Sequence, residues 1–361
     1  MSECPNVLTS VASLSVSYRP RALPAAIMAP ATVRYARVGG LPCALAGATM
    51  GTTWSARLVL PVGVAESVAR RAIQSALDDV VAQMSHWEEG TAITRYNRAE
   101  VGWQALPARM LDVLDCGLAV ARLTGGAYDP TIGALVSAWG FGPRQRAYEP
   151  PGAAAIDAAR ARCGWARVRR DGSHAWQDGG VLLDFSSIAK GYGVDCGARA
   201  LLALGVGDFL LEVGGELRAQ GLRPDGLPWR VAIEWPDGGG HADHVVLDRQ
   251  AIATSGDYRR YFQHDGKRHS HTLDPRSGRP IDNGTASVTV LHDSCMHADA
   301  WATALTVLGA EAGLRMANAQ GLAALFVVRG EHGLEPRASR AFIASRAAQY
   351  AGPHESAPAT P

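Results

Sequence analysis

The chain has 361 residues, of which 47% are apolar and 19% charged, and its 35 basic and 34 acidic side chains leave a net charge of +1. Such a chain can bury a sizeable core, which excludes global disorder, and it offers no basic footprint for nucleic acid. No run of about 18 uncharged apolar residues occurs, so no transmembrane segment is expected.

Residues 1–45 mix Pro, Ser, Ala and a few arginines and read as a poorly ordered leader. Arg19 and Arg21 follow the first apolar stretch, whereas a secretory signal puts its positive charge first. Cys43, in Leu41-Pro-Cys-Ala, lacks the small residue expected before a lipidated cysteine. The absent signal points to a cytoplasmic protein. The six cysteines are scattered without a C-x-x-C pair, which favours buried free thiols over zinc ligation or a disulfide framework. One domain is expected over 46–330, with 331–361 a polar tail that is largely disordered at its end.

Thr53 to Val62 is rich in strand formers and partly alternates, which predicts a half-buried strand. Ala65 to Met84 has apolar residues at helical spacing and predicts an amphipathic helix. Ser85 to Val101 is polar and irregular. A second helical pattern runs from Pro107 to Thr124 and stops at Gly125-Gly126. Tyr128 to Pro143 reads as a loop and 148–155 as a linker. Val181 to Phe185 reads as a short buried strand leading into a helix from Ala189 to Leu204. Asp208 to Val213 is a strand closed by Gly214-Gly215, and further strands are expected at Trp229 to Trp235, His244 to Ala253 and Ala286 to Leu291. Asp237 to Gly240 reads as a surface turn. Ser294 to Leu308 forms the best-defined helix, capped by Ser294 and ended by Gly309. Helices and strands mix without strict alternation, so the fold class is α+β.

Several polar islands stand against this apolar background. Asp299 and Thr303, at i and i+4, share a helix face and can reach one cation together. A carboxylate with a hydroxyl is hard-oxygen ligation, suited to Mg²⁺. Taken alone, such a pair is more often a solvated aspartate and a threonine bonded back to its own helix. In Leu183-Asp-Phe-Ser-Ser-Ile-Ala-Lys-Gly191 a strand, a small-residue turn and a helix bring N–H groups and Lys190 where phosphate could bind. Walker A spacing is missing, and by itself Lys190 reads as a surface lysine. His269 and His271 alternate and share a strand face, either as structural histidines or with one acting as a general base. Asp129, before Pro130, is held extended and could meet ligand hydroxyls or amides.

Order and spacing make these islands specific. The chain carries Met50-Gly-Thr52, Met84-Ser-His-Trp87 with Thr94-Arg-Tyr-Asn97, and Tyr128-Asp-Pro-Thr131 with Trp139-Gly-Phe-Gly142. It continues through Asp184-Phe-Ser-Ser-Ile-Ala-Lys-Gly191, Glu212-Val-Gly-Gly215, Thr254-Ser-Gly-Asp257, Ser270-His-Thr-Leu-Asp-Pro275 and His297-Ala-Asp299. Together, over about residues 46 to 330, they resemble the ApbE family of FAD:protein FMN transferases. The resemblance implies an ApbE-like α+β fold and a Mg²⁺-dependent enzyme. It would take FAD as substrate, cleave its diphosphate, release AMP and attach FMN to a threonine or serine of an acceptor flavoprotein. By resemblance the metal is held by Asp299, Thr303 and the main-chain carbonyl of Ser187. The resemblance also implies that Met50, Trp87, Asp129, Asp184, Lys190 and Thr272 lie along the FAD and that His271 is the favoured catalytic candidate.

The chain departs from the family pattern in places. Thr91-Ala92 replaces a common Ser-Glu, Trp87 replaces the commoner tyrosine while keeping a flat stacking surface, and the frequent lipoprotein leader is absent. By resemblance the compartment is periplasmic or inner-membrane associated, against the cytoplasm implied by the missing signal. Competing readings are a Mg²⁺-dependent FAD pyrophosphatase, with water replacing the acceptor hydroxyl, and a non-enzymatic flavin or metal carrier.

Overall fold

The computed structural model describes residues 40–143, 149–236, 241–258 and 260–350. Its centre is an eight-stranded sheet, antiparallel at every step, whose spatial order repeats the chain order. The strands are Leu41–Thr49, Thr52–Leu60, Asp208–Val213, Glu216–Gln220, Ala251–Gly256, Thr285–His292, Ala323–Gly330 and Gly333–Ala338. Everything else is an excursion from this meander. The longest, between Leu60 and Asp208, carries the helices Glu66–Met84, Ala108–Leu123 and Ala189–Ala203. Shorter ones carry the hairpins Trp229–Glu234 with His241–Leu247, and Tyr261–His264 with Lys267–Ser270. The helix Cys295–Ala319 crosses between the sixth and seventh sheet strands. The architecture is α+β.

The sheet is buried on both faces because successive side chains point to opposite sides. Phe209, Leu211 and Val213 pack with Ile73 and Leu77 of the first helix, while Leu210 joins Trp229, Val231 and Phe342 on the other face. Val288 and Val290 pack with Ala298 and Trp301, while Leu291 faces the opposite way. Of the described cysteines, Cys43, Cys116, Cys196 and Cys295 are buried, Cys163 is half-buried, and all are free thiols.

Several expected elements are corrected. The first strand begins at Leu41, inside the stretch read as a leader; residues 1–39 and 351–361 lie outside the described residues. Val181 to Phe185 is no strand. Its main chain makes an isolated bridge between Ile132 and Leu182 and an Asp184 N–H bond to the Pro130 carbonyl (2.9 Å), and side-chain amides hold Val181 and Leu183. Asn97 Nδ2 donates to the Leu183 carbonyl (2.9 Å) and Asn97 Oδ1 accepts from the Leu183 N–H (2.8 Å). Gln177 treats Val181 the same way, at 3.1 and 3.2 Å. Two amides replace a ladder, a substitution that hydrophobic pattern cannot register.

The expected strand His244 to Ala253 is two strands in different sheets, His241–Leu247 and Ala251–Gly256, parted near Arg249 at φ 55°. The polar stretch after Met84 contains the helix Ala92–Arg98, whose cap Thr91 accepts from the Thr94 N–H. Short helices Gly133–Ala138 and Ala153–Arg160 replace the loop and linker readings. Asp237 to Gly240 lies outside the described residues. Ser294 does cap its helix, accepting from the His297 N–H, and Gly309 leaves helical geometry at φ 77° and ψ 170°. There Asn283 Nδ2 donates to the carbonyls of Thr306 (3.0 Å) and Val307 (3.2 Å), and the chain resumes helix to Ala319. Beyond residue 330 come the strand Gly333–Ala338 and the helix Arg340–Tyr350, joined to the sheet by the buried Ser339 and Phe342.

Candidate functional site

The site grows from the meeting of two helix starts, Ala189 onward and Cys295 onward. Gly191 permits that meeting. A Cβ there would collide with the Cys295 carbonyl and come within 2.8 Å of Asp299 Cβ. The missing side chain lets the Gly191 N–H donate to Asp299 Oδ2 at 3.0 Å. Asp299 is buried and its other oxygen makes no hydrogen bond among the described residues. Burial lifts its pKa above the ordinary carboxylate value, against the nearby Lys190 charge and the Gly191 N–H.

Thr303 lies one turn further along the same helix, half-buried, with its hydroxyl unbonded among the described residues. Thr306 shows the alternative, with its hydroxyl turned back to the Ala302 carbonyl at 2.7 Å. The Ser187 hydroxyl donates to the Tyr128 hydroxyl at 3.2 Å, so Ser187 has its main-chain carbonyl to offer a ligand. Among the described residues no three His, Cys, Asp or Glu side chains gather as a metal cage. Asp299 and Thr303 therefore suit a hard cation that keeps most of its shell from water, main chain or phosphate, as Mg²⁺ does.

Lys190 approaches the same corner. Its ammonium lies 2.5 Å from Glu216 Oε1, and Glu216 is buried at the start of its strand. Burial works against the Lys190 charge, but the Glu216 and Asp299 carboxylates outweigh it and hold the ammonium's pKa above its usual value. Burial raises Glu216 to about 7, against the pull of Lys190 and with Asp299 adding to the rise.

His271 follows the hairpin strand Lys267–Ser270. Both its backbone N–H (3.1 Å) and its Nδ1 (2.9 Å) address the Arg260 carbonyl. A carbonyl only accepts, so Nδ1 carries the proton and Nε2 keeps its lone pair. Burial, then the Arg260 charge, pushes the ring's pKa down to about 4, with Lys190 adding to the effect. His269 is different: it stacks on Phe262 at 4.9 Å between ring centroids and lies 5.7 Å from Trp139, a packing role.

An ordinary imidazole, with a pKa of about 6.5, is mostly protonated at about pH 5.5. His271, with its value lowered to about 4, should still be neutral there. A ¹H–¹⁵N histidine titration, with His271→Ala for assignment, should show a neutral, Nδ1-protonated ring at that pH. A midpoint near 6.5 would contradict the geometry.

A cavity of about 740 Å³ reaches Asp184, on the loop that leads to Ser187 and Lys190, and is lined among others by His86, Trp87, Asn97, Ser137 and Leu183. That volume suits a ligand larger than a mononucleotide fragment. Asp184 is buried, accepts from the Ser186 N–H at 2.8 Å and faces His86 Nε2 at 3.7 Å. Trp87 is 49% exposed at the wall, tilted against His86. The Asn97 clamp on Leu183 fixes where Asp184 enters the cavity.

The remaining expected residues sit further out. Asp129 is buried and committed to its own turn: Oδ1 accepts from the N–H (2.8 Å) and hydroxyl (2.6 Å) of Thr131, and Oδ2 from the Trp165 N–H (3.1 Å). Thr272 is buried, its N–H bonded to the Ser270 hydroxyl and its carbonyl to the Ile281 N–H. Met50 turns the first hairpin at φ 49° and lays its side chain over Gly193. Sequence reasoning missed Glu216, His86, Tyr128 and Gly191 as site residues. Each lay in or beside a motif, but only long-range packing shows what it touches.

Comparison with known proteins identifies the family. The ApbE family pattern matches residues 50–326. The FAD:protein FMN transferase of Vibrio cholerae is 40% identical over 82% of this chain and 91% of its own length. The solved flavin transferase ApbE of Vibrio cholerae superposes with a TM-score of 0.80 at 37% identity, covering 84% of this chain and 99% of that one. The apo flavinyl transferase ApbE of Pseudomonas stutzeri gives 0.79 at 40% identity, over 84% and 96%.

Proposed function

The chain belongs to the ApbE family and is a transferase, and we propose that it moves FMN from FAD to a threonine or serine hydroxyl of an acceptor flavoprotein. AMP is the leaving group. The observation that carries this reading is a corner where Lys190 lies beside a buried carboxylate with an uncommitted oxygen, with His271 within electrostatic reach of Lys190, and with a cavity of about 740 Å³ at Asp184 on the loop leading to Lys190.

In this reading FAD occupies the cavity between Trp87 and Asp184, with Met50, Asp129 and Thr272 shaping its surroundings. The diphosphate reaches Lys190. Asp299, Thr303 and the Ser187 carbonyl would hold Mg²⁺, which when bound supplies charge neutralisation to the phosphoryl oxygens. Lys190 adds a second positive charge where negative charge develops. The acceptor oxygen attacks the FMN phosphorus while the bond to the AMP oxygen breaks. The acceptor proton passes to His271 Nε2, whose ring is held in the right tautomer by Arg260.

The test is one incubation of protein, FAD, Mg²⁺ and an acceptor domain, read by mass spectrometry. Acceptor heavier by one FMN unit, with matching AMP, supports the transfer. AMP and free FMN without modified acceptor would mean that water is the nucleophile. Absence of AMP would leave a flavin carrier. Among the described residues no helix is long and apolar enough to cross a membrane.

A further inference from the structure

A lysine that binds phosphate needs no carboxylate to wait with it, yet Lys190 has one. Glu216 is the first residue of its strand, placed by the two-residue turn Gly214-Gly215 and paired across it with Val213. The turn also makes room for the lysine. A Cβ on Gly214, which sits at φ 58°, would press within 3.2 Å of Lys190 Cδ and 2.8 Å of Thr52 Cγ2.

The carboxylate is costly where it stands. Glu216 side-chain exposure is 4%, one oxygen holds Lys190, and Oε2 is sealed from solvent without a hydrogen-bond partner among the described residues. Its neighbour Glu212, on the same hairpin, accepts from the Gly215 N–H at 2.7 Å and from the Ser55 hydroxyl at 3.1 Å. The orphaned oxygen is therefore not a general property of this turn. A buried ion pair is weak support for stability, since replacing both partners by apolar groups is often neutral or better. Meanwhile 29% of the Lys190 side chain stays exposed, so the residue is paired with Glu216 without being sealed off.

We propose that Glu216 is a positioning residue that stations the Lys190 ammonium beside Asp299, so that the charge is already in place when the diphosphate arrives. The proposal rests on the FMN-transfer reading. Preorganised charge lowers the barrier because no reorientation is needed during reaction. Glu216 therefore acts on turnover more than on FAD affinity.

The experiment compares Glu216→Gln, Glu216→Asp, Lys190→Met and the double variant Lys190→Met/Glu216→Gln in the full chain, with kcat and KM for FAD normalised to folded protein. Glu216→Gln should lower kcat about thirtyfold or more while KM changes less than about threefold. Glu216→Asp should recover most of the lost kcat. In the Lys190→Met background, adding Glu216→Gln should change kcat by no more than about twofold. A Glu216→Gln kcat within about twofold of the parent, or losses that multiply in the double variant, overturns the proposal. Should the parent neither modify acceptor nor release AMP, the transfer reading falls instead. The pairing is then judged by urea unfolding of the parent, Glu216→Gln, Lys190→Met and the double variant, where independent effects of the two substitutions would refute it.

Discussion

The His271→Ala variant is expected to bind FAD with a dissociation constant within about threefold of the parent and to transfer FMN at least about a hundredfold more slowly. The imidazole has its Nδ1 proton fixed on the Arg260 carbonyl, leaving Nε2 as the one ring position that can accept a proton. A ring held neutral by burial is competent at neutral pH, whereas an alanine leaves the acceptor hydroxyl to lose its proton to water. Removing the ring takes no hydrogen bond from the sheet, so folding should be intact. FAD affinity is read by flavin fluorescence and transfer by acceptor mass. Parent-like transfer in this variant would remove His271 from the chemistry.

Asp299→Ala should lose both turnover and its dependence on Mg²⁺, with activity down by about three orders of magnitude. The alanine also strips Gly191 of its acceptor, so a buried N–H is left unpaired at a cost of about 1–3 kcal/mol. Asp299→Asn separates the two effects, because its carbonyl oxygen can still accept from Gly191 while the negative charge is gone. Both variants should be equally inactive, with Asn closer to the parent in thermal unfolding. An Asn variant that keeps the parent's response to added Mg²⁺ would mean that the cation is held elsewhere.

Much of the fold was legible because local pattern reports local structure. Asp208 to Val213 has the expected bounds, and the helices at Glu66–Met84, Ala108–Leu123 and Ala189–Ala203 differ from expectation by a residue or so at their ends. The misreadings share a cause. Val181 to Phe185 looks like a strand because it is mostly apolar and buried; but Val181 and Leu183 bond to the Gln177 and Asn97 side chains, and only an isolated bridge and one further bond reach the 130–133 backbone. His244 to Ala253 is continuous in pattern but divided by Arg249 in its left-handed conformation, which composition does not foretell. In the site, Asp299 and Thr303 were visible as a pair on one helix face. Lys190 with Glu216 was not, because the pair exists only after distant elements have packed.

The meander has one seam far longer than the rest. Three of its seven pairings are tight hairpins and three close over intermediate excursions, but Trp54 to Val59 must find Asp208 to Val213 across the longest excursion of the chain. Closure of so long a loop carries an entropic toll that short hairpins escape, and non-local pairing slows folding. The hairpins Leu41–Leu60 and Asp208–Gln220 should therefore gain protection in pulsed hydrogen exchange before the amides that bond across the seam between them; simultaneous protection of hairpin and seam amides would count against this order. Lys190 and Gly191 lie within the excursion, just ahead of the seam, and Glu216 lies just past it. A half-folded chain thus lacks the corner where Lys190, Glu216 and Asp299 come together, and on the proposed reading cannot hold FAD before its architecture is complete.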